Sequence, residues 1–133
     1  MIYDQVGGGF HRYATDRLWL IPHFEKMLYN QANLSYVLTQ AYQLTGATDF
    51  KRVACETLDY VMREMRNSDG GFYSATDADS EGEEGLFFIW DKKEIEALLD
   101  EKSAKEFIEL YQITSSGNFE GKNILVEQNN DLD

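Results

Sequence analysis

The residues of this chain best suited to moving protons fall in two short runs, His11-Arg12 and His23-x-Glu25, which hold both of its histidines. Proton transfer next to a carbonyl needs a base that titrates near neutral pH, and histidine is the side chain that does so unperturbed. It also needs a positive group facing the enediolate oxygen, a role Arg12 can fill. Glu25 can orient His23 or act as the acid. The same four residues have a plainer reading, in which His23 packs at a helix start and His11 hydrogen-bonds inside a turn.

A second group is acidic and aromatic. Asp77 and Asp79 stand two apart in the run from Asp77 to Glu84 and could serve as a carboxylate pair for glycoside hydrolysis, although that spacing does not fix their separation. The run also matches the opening of a calcium-binding loop, but the twelfth position, which must supply a bidentate Glu, is Phe88. No metal site is expected. Tyr13, Trp19, Phe72, Tyr73 and Trp90 are candidates to stack on sugar rings, against the alternative that they plug gaps between helices. Cys55 is the single cysteine, so no internal disulfide and no Cys/His metal spacing exist, and nothing implies a cofactor.

Composition narrows the partners. The chain has 133 residues, 24 Asp and Glu against 12 Lys and Arg, and a net charge of −12. Basic residues are scattered, so a nucleic acid or an anionic membrane surface would repel it. No apolar run reaches membrane-spanning length, and the start carries no secretory pattern. A cytoplasmic protein with a small-molecule or carbohydrate ligand is the expectation. Eight Phe, eight Tyr and two Trp must pack somewhere, so the chain folds.

The elements that would position these residues divide 1–133 into five stretches of one segment. Residues 1–22 are a glycine-rich turn and strand, with Pro22 set to open a helix. Residues 23–66 form a helical hairpin. Its first helix runs from about Phe24 to Leu44 and ends at Gly46; its second follows Asp49, with Phe50, Val53, Ala54, Thr57, Leu58, Val61, Met62 and Met65 on one stripe. Residues 67–90 form a β-hairpin whose strands, Phe72 to Ala75 and Gly85 to Trp90, flank the acidic loop. Asp91-x-x-Glu94 and Ser103-x-x-Glu106 cap two short helices within 91–112. A polar tail over 113–133 holds one strand-like stretch, Asn123 to Val126, and frays from Asn129. An internal echo cuts across this division: GGFHRYATD from Gly8 recurs as GGFYSATD from Gly70, 62 residues on, with one helix pair between. Asp16 and Asp77 close the two copies.

The runs DQVGGGFHRYATD, PHFEKMLYNQ and SDGGFYSATDADSEGEEG, with FFIW after the last, cover most of the chain. In them it resembles the thioredoxin-domain-containing spermatogenesis-associated protein family. The resemblance implies an all-α, helix-dominant fold: part of a six-hairpin (α/α) toroid related to N-acylglucosamine and cellobiose 2-epimerases, with short β-hairpin excursions. Gln31-Ala32 stands where those epimerases carry a Gln-bearing helix. The family's thioredoxin-like domain has no counterpart here, so its redox chemistry is not expected. Two long and two short helices amount to about a third of a ring. The implied function is therefore a sugar epimerase or isomerase in the intact protein, inactive in this segment alone, with His11, Arg12, His23 and Glu25 catalytic and Tyr13, Trp19, Asp77, Asp79 and Trp90 binding substrate. A non-catalytic toroid that binds carbohydrate or protein, and a glycosidase using Glu25 or Asp77, are the alternatives. Helix faces left open should draw the chain into a homo-oligomer.

Overall fold

In the computed structural model, which describes residues 2–80 and 82–127, the chain divides into two compact units, Met1–Glu84 and Gly85–Asp133, where the sequence reading has one segment over 1–133. The fold is helix-dominant, and its strands are all two residues long. The expected fraying beyond Asn129 lies outside the described residues.

The first unit is organised by the helical hairpin of α1 (Leu28–Thr45) and α2 (Thr48–Tyr60), joined through Gly46 and Ala47. Two linking residues leave an antiparallel arrangement as the only close one. Gly46 ends α1 in the left-handed conformation, φ 71°, and its N–H bonds the Tyr42 carbonyl, as the glycine in that place predicts. Asp49 does not cap α2. The cap position is Ala47, without a side-chain bond, and Asp49 sits in the first turn with its carboxylate 3.7 Å from Arg52. Beyond Tyr60 the helix widens into a π turn, Val61–Met65. Tyr60, Val61 and Met65 bury together, with Leu28 packed on them.

The largest departure from the sequence reading precedes α1. Helix was expected from Phe24, opened by Pro22, but residues 22 to 27 are extended. Pro22 bridges Ala14, the Arg12 N–H donates to the Glu25 carbonyl at 2.8 Å, and Lys26–Met27 form strand β1 against Ala75–Thr76, strand β2. Phe24, Met27 and Leu28 fit helical spacing, yet Phe24 and Lys26 also fit the alternation of a strand, and the available partners on both sides decide the outcome. The expected hairpin of Phe72–Ala75 with Gly85–Trp90 is replaced for the same reason. One of its strands is taken by β1, and the acidic loop makes its own ladder, β3 (Asp79–Ser80) with β4 (Glu83–Glu84).

The echo is a structural repeat. In the first copy the Asp4 side chain accepts from the Val6 and Gly7 N–H groups at 3.0 and 2.8 Å, and the Asp4 N–H donates to the Gly9 carbonyl at 3.0 Å. In the second, the Asn67 side chain accepts from Asp69 and Gly71 at 3.1 and 2.8 Å, and the Asn67 N–H donates to the Gly71 carbonyl at 2.9 Å. Phe10 bridges Tyr3 as Phe72 bridges Arg66. The two turns differ in what covers them. A Cβ on Gly8 would lie 2.8 Å from the Glu56 carbonyl, and one on Gly9 2.7 Å from the Tyr60 ring; both glycines have positive φ, so only glycine fits. A Cβ on Gly70 would meet nothing within 4 Å.

The second unit packs Ile95, Tyr111 and Ile113 with Trp90, Phe107, Ile108 and Leu125. A short 3₁₀ turn (Leu86–Phe88) leads into β5 (Ile89–Trp90), which pairs with β6 (Asn123–Ile124). Helix α3 (Lys92–Leu98) opens on the expected capping box of Asp91 and Glu94. Helix α4 (Glu101–Leu110) is capped by Asp100, not by Ser103, which falls at the third helical position and bonds the Asp100 carboxylate.

A buried carboxamide ties α1 to the first turn. Gln31, wholly buried, accepts from the Phe10 N–H at 2.7 Å and donates to the Phe10 carbonyl at 2.6 Å. Gln31→Ala would leave both backbone groups of a buried residue unbonded, at about 1–3 kcal/mol each. We expect urea denaturation of Gln31→Ala to show a loss of about 2–5 kcal/mol; an unchanged midpoint would remove the clamp from the account of this fold.

Candidate functional site

The candidate residues fall on two sides of the ribbon formed by residues 10 to 14 and 22 to 26: Phe24 and Lys26 alternate with His23 and Glu25 as in a strand, whereas the adjacent Phe10 and His11 are both buried. One side faces inward with Phe10, His11, Phe24 and Lys26, and the other is the surface carrying Arg12, Tyr13, His23 and Glu25. His11 therefore does not join the other three proposed catalytic side chains.

On the surface side, the Arg12 guanidinium donates to Glu25 at 3.0 Å, and Tyr29 and Glu25 together hold it charged. The His23 ring stacks on Tyr13, centroids 4.9 Å apart and planes 15° off parallel. Its Nδ1 lies 3.8 Å from the Glu25 carboxylate, is shielded from solvent and has no hydrogen-bond partner. Asn30 closes the group with a bond to the Arg12 carbonyl at 3.1 Å. This is a connected polar cluster on an aromatic platform.

The other candidates lie elsewhere. Trp19 sits on the loop after Asp16 with φ 58°, exposed, on a turn whose Leu18 and Ile21 N–H groups bond the Asp16 carboxylate at 2.9 and 2.7 Å. Asp77 is exposed and accepts from the Asp79 N–H at 3.1 Å. Trp90 belongs to the second unit. Among the described residues, no three His, Cys, Asp or Glu side chains are grouped to hold a metal ion. No helix among the described residues is long and apolar enough to cross a membrane.

The inward side holds what sequence reasoning missed. Lys26 is wholly buried; its ammonium donates to Asp4 at 2.7 Å and to the Gly8 carbonyl at 2.8 Å, and lies 4.2 Å from the centre of the Tyr60 ring. Burial pulls Lys26 below the usual lysine range, against the attraction of Asp4. Burial alone would raise the Asp4 carboxyl, but the Lys26 charge and hydrogen bond, with the Gly7 and Val6 N–H groups, hold it below its ordinary value. A second cation, Arg63, donates to the Gly7 carbonyl at 2.6 Å. Beside it a depression of about 220 Å³ is lined by the first glycine turn, Glu56, Asp59 and Arg63.

No family model matches the chain. It is 54% identical over 106 residues to mouse spermatogenesis-associated protein 20, covering 75% of this chain and 13% of that protein. The human protein of that name is 45% identical over 132 residues, covering 88% of this chain and 17% of its own length. The chain is a homologue of this family. An uncharacterised protein of Caenorhabditis elegans is 39% identical over 132 residues, again covering 88% of this chain and 18% of the relative. The chain thus spans less than a fifth of the length of the curated relatives it matches.

In the sequence, the hint of the buried centre is the lysine itself. Lys26 stands two residues after Phe24, on the same face if the stretch is extended, where a buried charge needs a partner. Nothing in the sequence says that Asp4 is that partner.

His11 carries a pH consequence. Its Nδ1 faces the Phe24 carbonyl at 3.0 Å; burial first, then the Lys26 charge, push its pKa down from 6.5 to about 4, with the Phe24 bond opposing. The unfolded chain therefore takes up this proton first. Stability is complete above about 6.5 and falls as pH drops toward about 4, by about 3 kcal/mol if His11 acts alone. His11→Asn keeps a donor toward Phe24 without a titrating group. Urea unfolding followed from pH 7 to pH 4 should show a flatter slope for His11→Asn; identical slopes would assign the acid sensitivity to other groups.

Proposed function

We propose that this chain is a non-catalytic segment of a helical toroid, a scaffold and binding element that turns over no sugar by itself. The observation that carries this reading is the employment of the proton-transfer candidates. His11 is buried against Phe24, and Arg12 and Glu25 are spent on each other across two strands. Arg12 and Glu25 are also paired through their backbones, N–H to carbonyl at 2.8 Å. A helix-dominant fold with a turn repeated around one helical hairpin supports the toroid, and so does a set of relatives several times longer than the chain.

One feature favours a second reading. His23 has an unbonded, shielded Nδ1, a carboxylate 3.8 Å away and an aromatic ring beneath it. Those are the parts of a base for proton abstraction next to a carbonyl, and they would serve an epimerase- or isomerase-like site in a longer polypeptide.

Proton abstraction at C2 leaves a solvent label. In deuterium oxide, N-acylglucosamine and cellobiose incubated with the chain should show no deuterium at C2 and no epimer by NMR beyond a buffer control. Exchange that disappears in His23→Ala, with the circular dichroism unchanged, would replace the scaffold reading with the epimerase reading. Sugar hydrolysis lost in Asp77→Asn would replace both with glycoside hydrolysis.

A further inference from the structure

The two glycine turns differ at a position where the difference is chemical. Two residues after Asp4 in the first copy stands Val6, and two after Asn67 in the second stands Asp69, each followed by glycine. Asp69-Gly70 is the one place in the sequence where Asp or Asn precedes Gly. Such a pair is prone to ring closure, because no side chain on the second residue shields its backbone nitrogen. The second turn leaves the pair accessible. Asp69, Gly70 and Gly71 are all exposed, and a Cβ on Gly70, at φ 88°, would meet nothing within 4 Å. The Gly70 N–H donates to the Asn67 carbonyl at 3.2 Å, the longest bond of this turn and at the far end of the hydrogen-bond range. Asn67-Ser68 is the neighbouring candidate, but the Asn67 side chain is held by the Asp69 and Gly71 N–H groups at 3.1 and 2.8 Å.

We propose that Asp69-Gly70 is a site of spontaneous isoaspartate formation, through which the second turn is lost while the first is spared. The Gly70 nitrogen forms a bond to the side-chain carboxyl carbon of Asp69. The carboxyl hydroxyl leaves as water with the N–H proton, and a five-membered succinimide closes. Water then opens the ring. Breaking the bond from nitrogen to the side-chain carbon restores aspartate. Breaking the bond to the main-chain carbonyl carbon leaves Gly70 attached through the side chain, with a free α-carboxylate. Nothing is oxidised or reduced, and the mass is unchanged. The new linkage lengthens the main chain by one carbon between Asp69 and Gly70. Three bonds of the turn span that point: Gly70 N–H to the Asn67 carbonyl, Gly71 N–H to the Asn67 side chain, and Asn67 N–H to the Gly71 carbonyl. Just beyond, the Tyr73 N–H donates to the Met65 carbonyl at 2.8 Å and the Leu28 N–H to the Ser74 carbonyl at 2.9 Å, so loosening of the turn reaches the start of α1. In the first copy Val6 has no carboxyl to close the ring, and Glu56 and Tyr60 of α2 pack against Gly8 and Gly9.

Prolonged incubation of the full chain at body temperature, folded in buffer and unfolded in guanidinium chloride, tests this. Trypsin, cutting after Arg66 and Lys92, releases the peptide that begins at Asn67. Isoaspartate appears there as a second chromatographic peak of equal mass, and methyl transfer from S-adenosylmethionine by an isoaspartyl methyltransferase counts it. The expected result is isoaspartate at residue 69, forming at comparable rates in the folded and unfolded chain. Hydrogen-exchange protection of the Gly71 and Tyr73 N–H groups should be lost with it, while that of the Gly8 N–H is kept. Asp69→Glu retains the charge but cannot close a five-membered ring, and should show neither change after the same incubation. Isoaspartate confined to the unfolded chain would overturn the proposal, because the turn would then be holding Gly70 away from the carboxyl. Isoaspartate at another residue of that peptide in its place, or at residue 69 with the exchange pattern unaltered, would overturn it as well.

Discussion

A lysine ammonium buried without compensation would cost far more than a domain of this size can spare, so the placement of Lys26 constrains everything around it. Its compensation comes from three separate parts of the first unit: the Asp4 carboxylate, the Gly8 carbonyl and the face of Tyr60. Asp4 simultaneously shapes the glycine turn by accepting from Val6 and Gly7, so the residue that neutralises the lysine also presents the Gly8 carbonyl to it. Tyr60 closes the arrangement from α2 and reaches on to Thr76 at 3.1 Å. Turn, strand and helix are thereby tied at one point. Breaking one member of a buried pair commonly costs 3–5 kcal/mol, because the other charge is left behind. On that scale this cluster outweighs every exposed ion pair in the chain, such as Arg52 with Glu56 or Lys102 with Glu106.

The repeated turn shows the same constraint by contrast. Asp4 and Asn67 make equivalent bonds, and Gly9 and Gly71 accept equivalent N–H groups. In the first copy a cation lies beneath the turn and α2 lies over it. Asn67, being neutral, has no charge to match a lysine, and Gly70 and Phe72 remain open. One backbone design thus serves two environments, and the charge at its first position goes with the one that is enclosed.

Periodicity made the α1–α2 hairpin readable, and the glycine after α1 marked its end, because both depend on neighbours in sequence. The echo was readable as text, and its two turns share their hydrogen bonds. Partner choice was not readable. Phe24, Met27 and Leu28 satisfy helical and extended patterns alike, and only the strands on either side decide between them. The acidic loop and the Phe72–Ala75 stretch failed as one hairpin because β1 offered a better edge. At the site, Arg12 and His23 lie beside Glu25, while His11 is buried next to a buried Phe10, against the alternation a strand pattern would suggest. Lys26 and Gln31 went unremarked as structural centres, since a lysine and a glutamine at a helix start ordinarily face water.

Two-residue strands offer few ladder bonds, so backbone groups at their ends need other partners. This chain supplies them from side-chain carboxamides. Gln31 holds both backbone groups of Phe10; Asn118 holds both of Ile124 at 3.0 and 2.8 Å; Asn123 holds both of Thr114 and reaches the Trp90 carbonyl. The device recurs in both units, so it belongs to how the fold closes short strands and not to one site. Arg12, paired through its backbone and its side chain to Glu25, extends the same logic to charged residues. A motif dense in His, Arg, Asn, Gln and Asp is what such a fold needs even when it performs no chemistry. Among the described residues, His23 and Ser35 are the ones with a buried side-chain atom left over after that accounting, and of the two His23 also has a carboxylate close by, at 3.8 Å.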